Sequence, residues 1–444
     1  MADLIGLSTR IVDSGVANEP VNRTTGELSE IAPGLSMVES FSHVVTFDSG
    51  DGLVCFDTSH ANTGRQVVES IRGWSNAPFN ALVYTHGHSD HVGGSFAFAA
   101  DAESRGDRAP RVVGHRNVQR RFDRYRYTND WNRLINARQF GGVKGDLNEA
   151  LNDLRPAAPS DPSVRRDRFI PDETLDTTDV VDDFSSMTFG DTVVEFHHGR
   201  GETDDHLWSW FPEQKWVATG DFIVWNFPNA GNPQKVQRWP IEWAQSLRAI
   251  AAKEPELLLP AHGLPIAGKE RIARVLDEIA GALENLVREV VDRMNAGDTL
   301  DTIIHSVKVP AETLAKPYLR PLYDEPEFVV RNVWRLFGGW WDGAPSRLKP
   351  SPDRLLATEL ATLAGGAEVL IRRAQDLATS GDLRLACHLA DMAGWAAPDD
   401  PDVHRMRSEI YEVRRKNESS LMAKGIFKGA SRESDAVVRA ALGE

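Results

Sequence analysis

Short runs of β-branched and aromatic residues recur along the N-terminal part of the chain and predict strands. Two of them, Val44–Gly50 and Leu53–Thr58, flank the turn Ser49–Gly52 and predict a hairpin. The first 60 residues favour strands throughout, and a helix is predicted over Gly64–Trp74. Further predicted strands, with helical stretches between several of them, are Ala81–His86, Val112–His115, Thr192–His198, His206–Phe211, Trp216–Phe222 and Leu257–Pro260. This mixed order predicts an α/β fold, an αβ sandwich.

From Gly268 onward the apolar residues change to a spacing of three and four. They predict an amphipathic helix ended by Gly297, and its apolar face comprises Ile272, Val275, Ile279, Leu283, Leu286, Val290 and Met294. More helical pattern follows over Pro352–Asn417, and no strand pattern returns after Pro260. We therefore predict an α/β domain over residues 1–267, an all-α domain over 268–430, and a tail over 431–444.

The segment Arg116–Gly190 interrupts the alternation of strands and helices. It is rich in Asp, Arg and Pro, and between Arg121 and Arg133 arginines alternate with aromatic residues. Two interpretations stay open. The segment is either a lid or substrate-facing insertion, or a solvated helix whose aromatic side chains pack on the core.

The balance of charge argues against a nucleic-acid partner. The chain carries 50 Lys and Arg against 65 Asp and Glu, a formal net charge of −15, so it repels a polyanion. Its two cysteines, Cys55 and Cys387, lie far apart and provide no disulfide framework. The N-terminus lacks the pattern of a secretory signal, and no apolar run is long enough to span a membrane. We therefore expect a cytoplasmic protein.

The densest group of metal-ligating side chains lies in THGHSDHVGG, Thr85–Gly94. His86, His88, Asp90 and His91 fall within six residues, directly after a predicted strand. A tight loop at a strand end allows alternate side chains to converge, and imidazole nitrogen with carboxylate oxygen is a donor set for divalent metals. The alternative, a polar turn facing solvent, does not account for this density of ligands. The segment therefore predicts a two-metal site.

This HxHxDH segment resembles the first ligand motif of the metallo-β-lactamase superfamily. Three later segments resemble the remaining ligand elements of that superfamily: His197–His206, Ala218–Asp221 and Leu258–Gly263. The resemblance implies an αβ/βα sandwich that binds two divalent ions, with zinc expected. It assigns His86, His88 and Glu202 to the first ion, Asp90, His91 and His262 to the second, and Asp221 to both.

Glu202 stands where most members of the superfamily carry His. With Asp90 and Asp221 it would offset three of the four charges on two divalent ions, and a bridging hydroxide would offset the fourth. In the alternative, Glu202 is an exposed carboxylate and His198 or His206 is the ligand.

A narrower resemblance is to the type III alkyl sulfatases, which share such a Glu. The aromatic segment Phe328–Leu348 is similar to the start of their dimerisation domain. The resemblance implies hydrolysis of an alkyl sulfate ester by the metal-bridging hydroxide, and a homodimer. Three departures leave the substrate class open. Asp221 replaces their common Glu, the stretch after it differs, and a sterol-carrier-like domain is not expected.

Further side chains are candidates for catalysis and substrate binding. We assign catalytic roles to Asp90, Asp221 and His206, the last able to protonate a leaving group or hold an oxyanion. We expect anionic or polar groups of the substrate to be bound by Arg200, Asn226, Arg238 and Arg331. For each arginine the alternative is an ordinary surface or interface ion pair.

Several other functions compete with sulfate-ester hydrolysis. Carboxylic ester, lactone or thioester hydrolysis is the first alternative, with a small-molecule substrate that combines an apolar part with an anionic or ester group. A di-iron redox enzyme of the same superfamily is less favoured, because such members replace a His within the first motif and position 88 is His. A non-catalytic scaffold is also disfavoured, since all seven ligand positions are filled.

Overall fold

The computed structural model of the protein describes residues 2–140 and 168–443. Within them one sheet follows chain order, antiparallel from β1 to β4 and parallel from β4 to β7. Its strands are β1 (Leu28–Ala32), β2 (Leu35–Val38), β3 (Val44–Asp48), β4 (Leu53–Phe56), β5 (Phe79–Val83), β6 (Arg111–His115) and β7 (Asp179–Val181).

The second sheet has the order β13-β12-β11-β10-β9-β8. All its neighbours are antiparallel except β11 and β12, which run parallel. Its strands are β8 (Phe184–Phe189), β9 (Thr192–Gly199), β10 (His206–Phe211), β11 (Trp216–Gly220), β12 (Leu257–Pro260) and β13 (Ile266–Ala267).

The two sheets pack face to face through aromatic side chains. Phe211 of β10 lies 5.4 Å from Phe47 of β3 and 5.6 Å from Phe56 of β4, measured between ring centroids. The helices that precede or accompany the sheets are α1 (Leu4–Ser14), α2 (Gly64–Arg72), α3 (Ser89–Val92), α4 (Ser95–Arg105), α5 (Asn117–Tyr127), α6 (Asn129–Gln139), α7 (Pro240–Ala252) and α8 (Lys269–Asn295). Since α2 and α4 contact the first sheet and α7 and α8 the second, this part is the predicted αβ/βα sandwich.

Helices alone make up the rest of the described chain, as predicted. They are α9 (Leu300–Ser306), α10 (Ala311–Leu314), α11 (Pro326–Gly338), α12 (Pro345–Leu348), α13 (Asp353–Ala364), α14 (Ala367–Thr379), α15 (Leu383–Ala396), α16 (Pro401–Lys416) and α17 (Leu421–Leu442). In the described part of the chain, no helix is both long enough and apolar enough to cross a membrane.

The chain divides into two compact units. In described residues the first comprises 2–132, 168–298 and 302–337, and the second comprises 133–140, 299–301 and 338–443. The second unit has its own apolar core, formed by Ile371, Ala374, Leu377, Ala386, Ala390, Ala393, Val403 and Ile410. The helix α8 groups with the first unit, and the domain boundaries given above stay a prediction.

Two strand predictions were wrong at their edges. The first 60 residues are not strands throughout, because Leu4–Ser14 is a helix that buries Leu4, Leu7 and Ile11 along one face. The spacing of those three residues is helical, and Asp3 caps the helix by accepting a hydrogen bond from the backbone N–H of Gly6 at 2.7 Å. A strand also follows Pro260, since β13 pairs with β12.

The predicted insertion contributes to the core at both of its described ends. In α5 the side chains of Phe122 and Tyr125 are buried, and so is the guanidinium of Arg121. At the other end, β7 extends the first sheet and β8 the second. Phe122 and Tyr125 therefore pack on the core, whereas Tyr127 and Trp131 are exposed. The lid or substrate-facing role of Arg116–Gly190 stays a prediction, and residues 141–167 of this segment lie outside the described part of the chain.

Candidate metal centre

The loop after β5 brings a first group of ligand atoms together. Nε2 of His86 and Nδ1 of His88 lie 2.8 Å apart, and Oδ2 of Asp221 is 3.8 Å from the His86 nitrogen. His86 is fully buried in the loop after β5, while His88 directly precedes the short helix α3. Asp221 follows β11 in the second sheet, so the group spans the two sheets at their strand ends.

A second group lies beside the first. Oδ2 of Asp90 is 3.5 Å from Nε2 of His91 and 3.5 Å from Nε2 of His262. Asp221 contributes here as well, with Oδ2 at 3.5 Å from His91 and Oδ1 at 3.6 Å from His262. Asp221 therefore faces both groups, which is the arrangement required of a bridging carboxylate.

Glu202 lies at the edge of the first group. Its Oε1 is 3.8 Å from Nδ1 of His88, and it also accepts hydrogen bonds from Nη1 of Arg238 at 2.5 Å and from Nδ2 of Asn229 at 2.6 Å. Burial raises the pKa of Glu202 to about 7, against the opposing effect of the Arg238 charge. The carboxylate is thus buried and oriented, and is not an exposed group at a strand end.

A buried carboxylate orients one of the imidazoles from behind. Oδ2 of Asp57 accepts a hydrogen bond from Nδ1 of His91 at 2.7 Å, while its carboxylate also accepts from the backbone N–H and the hydroxyl of Thr85. Asp57 directly follows β4 and holds a left-handed φ of 64°. Such a conformation is costly for a residue other than glycine and is found mainly at functional sites. This contact leaves Nε2 of His91 directed toward the second group.

A second carboxylate fixes the loop backbone between the first two ligands. Oδ2 of Asp205 accepts from the N–H of Gly87 at 3.0 Å and from Nε of Arg121 at 2.8 Å. All of these atoms are buried, and the Arg121 charge outweighs burial to hold the pKa of Asp205 below its usual range. The helix α5 therefore supports the ligand loop through Arg121.

Two glycines, Gly64 and Gly94, permit close packing behind the ligand loop. A Cβ on Gly94 would lie 2.1 Å from the carbonyl oxygen of Thr58, and one on Gly64 would lie 2.6 Å from the Cα of Gly94. Only glycine fits at these approaches, and α4 begins at the next residue, Ser95.

Burial and neighbouring charges shift the pKa values of the three histidines in the ligand loop. Burial lowers the pKa of His86 and His88 well below that of a free imidazole. Burial also favours a neutral His91, but the carboxylates of Asp221 and Asp57 outweigh it and hold the pKa of His91 well above the usual value.

The central carboxylates are held ionised by the rings around them. Burial alone would raise the pKa of Asp90 and Asp221, but the neighbouring His91 and His262 lower it below the usual range for both. Ionised carboxylates facing imidazole nitrogens form a donor set for cations.

Two buried polar atoms without hydrogen-bond partners bear on whether divalent metals fit between these residues. Within the described residues, Nε2 of His91 and Oδ1 of Asp221 are buried and have no hydrogen-bond partner. An unsatisfied buried polar atom costs about 1–3 kcal/mol, and coordination to a cation would satisfy both atoms. The ligand atoms of His86, His88 and Asp221 lie within 4.8 Å of one another, as do those of Asp90, His91 and His262. The residues present fit two divalent cations.

Comparison with known families agrees with this geometry. Residues 38–262, half of the chain, match the metallo-beta-lactamase superfamily. The chain belongs to this superfamily. Residues 299–436 match a second family, described as alkyl sulfatase dimerisation. The likeness predicted from the ligand segments and from the aromatic segment is therefore confirmed.

Several characterised proteins of this superfamily are similar to the chain. A linear primary-alkylsulfatase from a Pseudomonas species is 26% identical over 80% of this chain and 66% of its own length. An (R)-specific secondary-alkylsulfatase, also from Pseudomonas, is 24% identical over 87% of this chain and 59% of its own length. The chain thus spans about two thirds or less of these relatives. The solved structure of a stereoselective inverting sec-alkylsulfatase from Pseudomonas has a TM-score of 0.79 at 20% identity, over 92% of this chain and 65% of that one.

The remaining predicted catalytic and substrate-binding residues differ in burial and in their contacts. His206 is buried, and its Nε2 accepts a hydrogen bond from the backbone N–H of Asp221 at 3.0 Å. Asn226 is half-buried and donates to the carbonyl of Val224. Two predicted arginines are exposed and are not among the residues that contact the ligand groups: Arg200 lies over the Trp239 ring, and Arg331 faces Glu327. Their assigned roles stay predictions.

Sequence reasoning missed most of the groups that support the ligands. These are Asp57, Arg121, Asp205 and Asn229. A signal existed for Asp57, because it follows the apolar strand Leu53–Phe56 in the same way that the ligands follow their strands. The others act across long sequence separations, so no local pattern marks them.

Proposed function

We propose that this chain hydrolyses alkyl sulfate esters with two divalent cations, which we expect to be zinc. One observation carries the proposal: Asp221 lies between two groups of ligands in a chain whose similar characterised proteins are alkylsulfatases. We place the first ion with His86, His88 and Glu202. The second we place with Asp90, His91 and His262, and Asp221 with both.

The ligands' own chemistry supports this assignment. When bound, two divalent cations would polarise an ester oxygen and supply hydroxide at neutral pH. The chain contributes the three carboxylates of Asp90, Glu202 and Asp221, which keep the loaded centre close to neutral once a hydroxide is counted. It also contributes fixed geometry, since Asp57 orients His91 and Asp205 holds the backbone between His86 and His88.

Recognition of the sulfate group is assigned to Lys235, three residues before Arg238 in the chain. Burial, with the nearby Arg238, lowers the pKa of Lys235 to about 8, while Glu202 and Asp90 oppose the shift. Its ammonium is thus within electrostatic range of two proposed metal ligands, and it lies 5.6 Å from the centroid of the Phe169 ring. A half-buried ammonium next to an aromatic surface suits an anionic group attached to an apolar chain. The Nη1 atom of Arg238, in contrast, is engaged by Glu202.

His206 is better suited to positioning than to protonating a leaving group. Its Nε2 already accepts from the backbone of Asp221, and burial lowers its pKa to about 3, so the ring is neutral at physiological pH. We propose that it fixes the backbone of the bridging carboxylate.

We further propose a homodimer. The match of residues 299–436 to the dimerisation family supports it, and so does an apolar surface on α13. In this helix Ala357 and Ala361 are buried, whereas Leu355 and Leu363 are exposed by 62% and 76% of their surface. A leucine-rich exposed face is unusual for a helix of a monomer and typical of an interface.

A panel of substrates tests the proposed activity. Metal-loaded protein is offered alkyl sulfates, carboxylic esters, lactones and thioesters of matched chain length. Release of inorganic sulfate from the alkyl sulfates, lost by at least about a hundredfold in Asp221→Asn, is the expected result. Turnover confined to the carboxylic esters, lactones or thioesters would instead establish the first alternative and reject sulfate-ester hydrolysis.

A further inference from the structure

Both groups that hold Glu202 are carried by one loop, which we call the Asn229–Arg238 loop. Nδ2 of Asn229 and Nη1 of Arg238 donate to the same oxygen, Oε1 of Glu202. Arg238 also donates to the backbone carbonyl of Asn229, so the loop closes on itself around the carboxylate. The direction of the Glu202 side chain therefore depends on where this loop lies.

The loop is attached to the stretch that contains the start of α11. Oδ2 of Asp324 is fully buried and accepts from the N–H groups of Gly231 at 2.6 Å and Asn232 at 3.1 Å. A Cβ on Gly231 would lie 2.3 Å from the backbone nitrogen of Val329, so loop and helix are in direct backbone contact. The first half of the loop is thus fixed by residues about ninety positions later in the chain.

Asn332 fixes the second half. Its Nδ2 donates to the carbonyl of Arg238 at 2.9 Å, and its Oδ1 accepts from Nε2 of Gln237 at 2.9 Å and from the N–H of Arg238 at 3.4 Å. The side chain is 5% exposed, so these bonds are shielded from water. The backbone N–H and the backbone carbonyl of Arg238 are therefore both held by the side-chain amide of Asn332.

We propose that Asn332 is a positioning residue of the metal centre. It holds the Arg238 backbone so that the guanidinium meets Oε1 of Glu202, the oxygen that lies 3.8 Å from Nδ1 of His88, and so keeps the carboxylate at the first ligand group. This inference rests on the proposed role of Glu202 as a ligand. It deepens that role by linking the centre to α11, which lies in the region matched by the alkyl sulfatase dimerisation family.

The physical reason is the length of the arginine side chain. Arg238 reaches Glu202 through a flexible stem, and ordering such a stem costs rotamer entropy. A fixed backbone limits this loss, whereas a loosened one lets the guanidinium leave the carboxylate. Partners of this kind typically change metal affinity by about 10–100-fold when removed.

Metal affinity, and not turnover, is the direct test. Zn²⁺ is titrated into metal-depleted full-length protein against a chromophoric chelator, and the Co²⁺ absorption spectrum is recorded separately. Asn332→Ala is expected to weaken one of two Zn²⁺ equivalents by about tenfold and to alter the Co²⁺ spectrum. The matched control is Asn285→Ala, because Asn285 is an exposed helical asparagine that is bonded to Arg288. This variant is expected to leave the Zn²⁺ affinity and the Co²⁺ spectrum unchanged.

A double-mutant cycle separates positioning from a general structural role. If Asn332 acts through Arg238, the effect of Asn332→Ala on Zn²⁺ affinity disappears when Arg238→Met is already present. An undiminished effect in that background overturns the inference, as does an unchanged affinity in the single variant. Should Asn332→Ala fail to fold, Asn332→Asp keeps the acceptor oxygen, loses the donor to the Arg238 carbonyl, and is expected to show the same change more weakly.

These outcomes are distinct from failure of the proposed function. A wild-type chain that binds two Zn²⁺ but releases no sulfate from any alkyl sulfate removes the proposed substrate and leaves the positioning role intact. Loss of Zn²⁺ binding already in the wild type would reject both.

Discussion

Oδ2 of Asp57 lies 2.7 Å from Nδ1 of His91, and both groups are buried. Because a carboxylate only accepts, Nδ1 of His91 carries a proton, and in the neutral imidazole the lone pair of Nε2 points to the second ligand group. The contact joins the end of β4 to the ligand loop after β5, two strands that pair in parallel.

The first prediction follows from that contact. Asp57→Asn keeps the shape but loses the charge that fixes the ring, so metal affinity at the second group and kcat should fall by about 10–100-fold. Metal competition and steady-state kinetics measure the two effects. Asp51→Asn, at an exposed position of the adjacent turn, is the control and should change neither. Equal affinities in all three proteins would show that Asp57 does not support a ligand.

The second prediction concerns Glu202. Glu202→Gln keeps an oxygen for Arg238 and Asn229 but removes a negative charge from the centre, so one metal equivalent should bind at least about tenfold more weakly. Turnover should fall further in Glu202→Ala, which also leaves Arg238 without its partner at 2.5 Å. The control is Glu195→Gln, since Glu195 lies on β9 and pairs with Lys253, away from the ligand groups. This variant should keep the metal affinity and turnover of the wild type. Full metal content and activity in Glu202→Ala would mean that Glu202 is no ligand.

The third prediction is a pH dependence that belongs to Lys235. Its pKa is lowered to about 8, so the ammonium loses its proton as the pH rises through that value. KM for an alkyl sulfate should therefore rise above pH 8 in the wild type, whereas Lys235→Arg should keep the low KM. In Lys235→Met, KM should lie about tenfold above the wild-type value measured below pH 8, and it should stay at that level as the pH rises.

A surface lysine provides the comparison for this experiment. Lys253 pairs with Glu195 at 2.8 Å, and Lys253→Met should reproduce the wild-type profile. The assignment of the sulfate group to Lys235 fails if Lys235→Met keeps the wild-type KM throughout.

Some of the proposed metal ligands can be predicted from the sequence alone, and others cannot. His86, His88, Asp90 and His91 are neighbours on one loop, so their spacing alone predicts that they converge. Glu202, Asp221 and His262 lie in loops after three different strands, and only resemblance to a family connects them in advance.

The supporting groups could not be predicted in this way. The amide of Asn332 meets the carbonyl of Arg238 across 94 positions of sequence, and Arg121 meets Asp205 across 84. Such contacts depend on how helices dock on the sandwich, which no local periodicity encodes. The helix at Leu4–Ser14 differs from these groups, because the spacing of Leu4, Leu7 and Ile11 is a local helical pattern that the sequence does contain.

The fourth prediction concerns assembly. Light scattering at low micromolar concentration should give a mass near twice the 49.2 kDa of one chain. The double variant Leu355→Asp/Leu363→Asp should shift the protein toward the monomer, because each carboxylate would be desolvated at the interface. Leu442→Asp, at a similarly exposed leucine of α17, should leave the mass unchanged. A wild-type mass near that of one chain would reject the dimer.

Metal dependence of sulfate release is the most direct test of the central claim. Metal-depleted protein is titrated with Zn²⁺, and inorganic sulfate released from a medium-chain linear alkyl sulfate is measured at each addition. Our account predicts that the depleted protein is inactive and that activity rises to a plateau at two equivalents per chain. Full sulfate release without added metal, or no sulfate release at any loading of a protein that binds two equivalents, would contradict it.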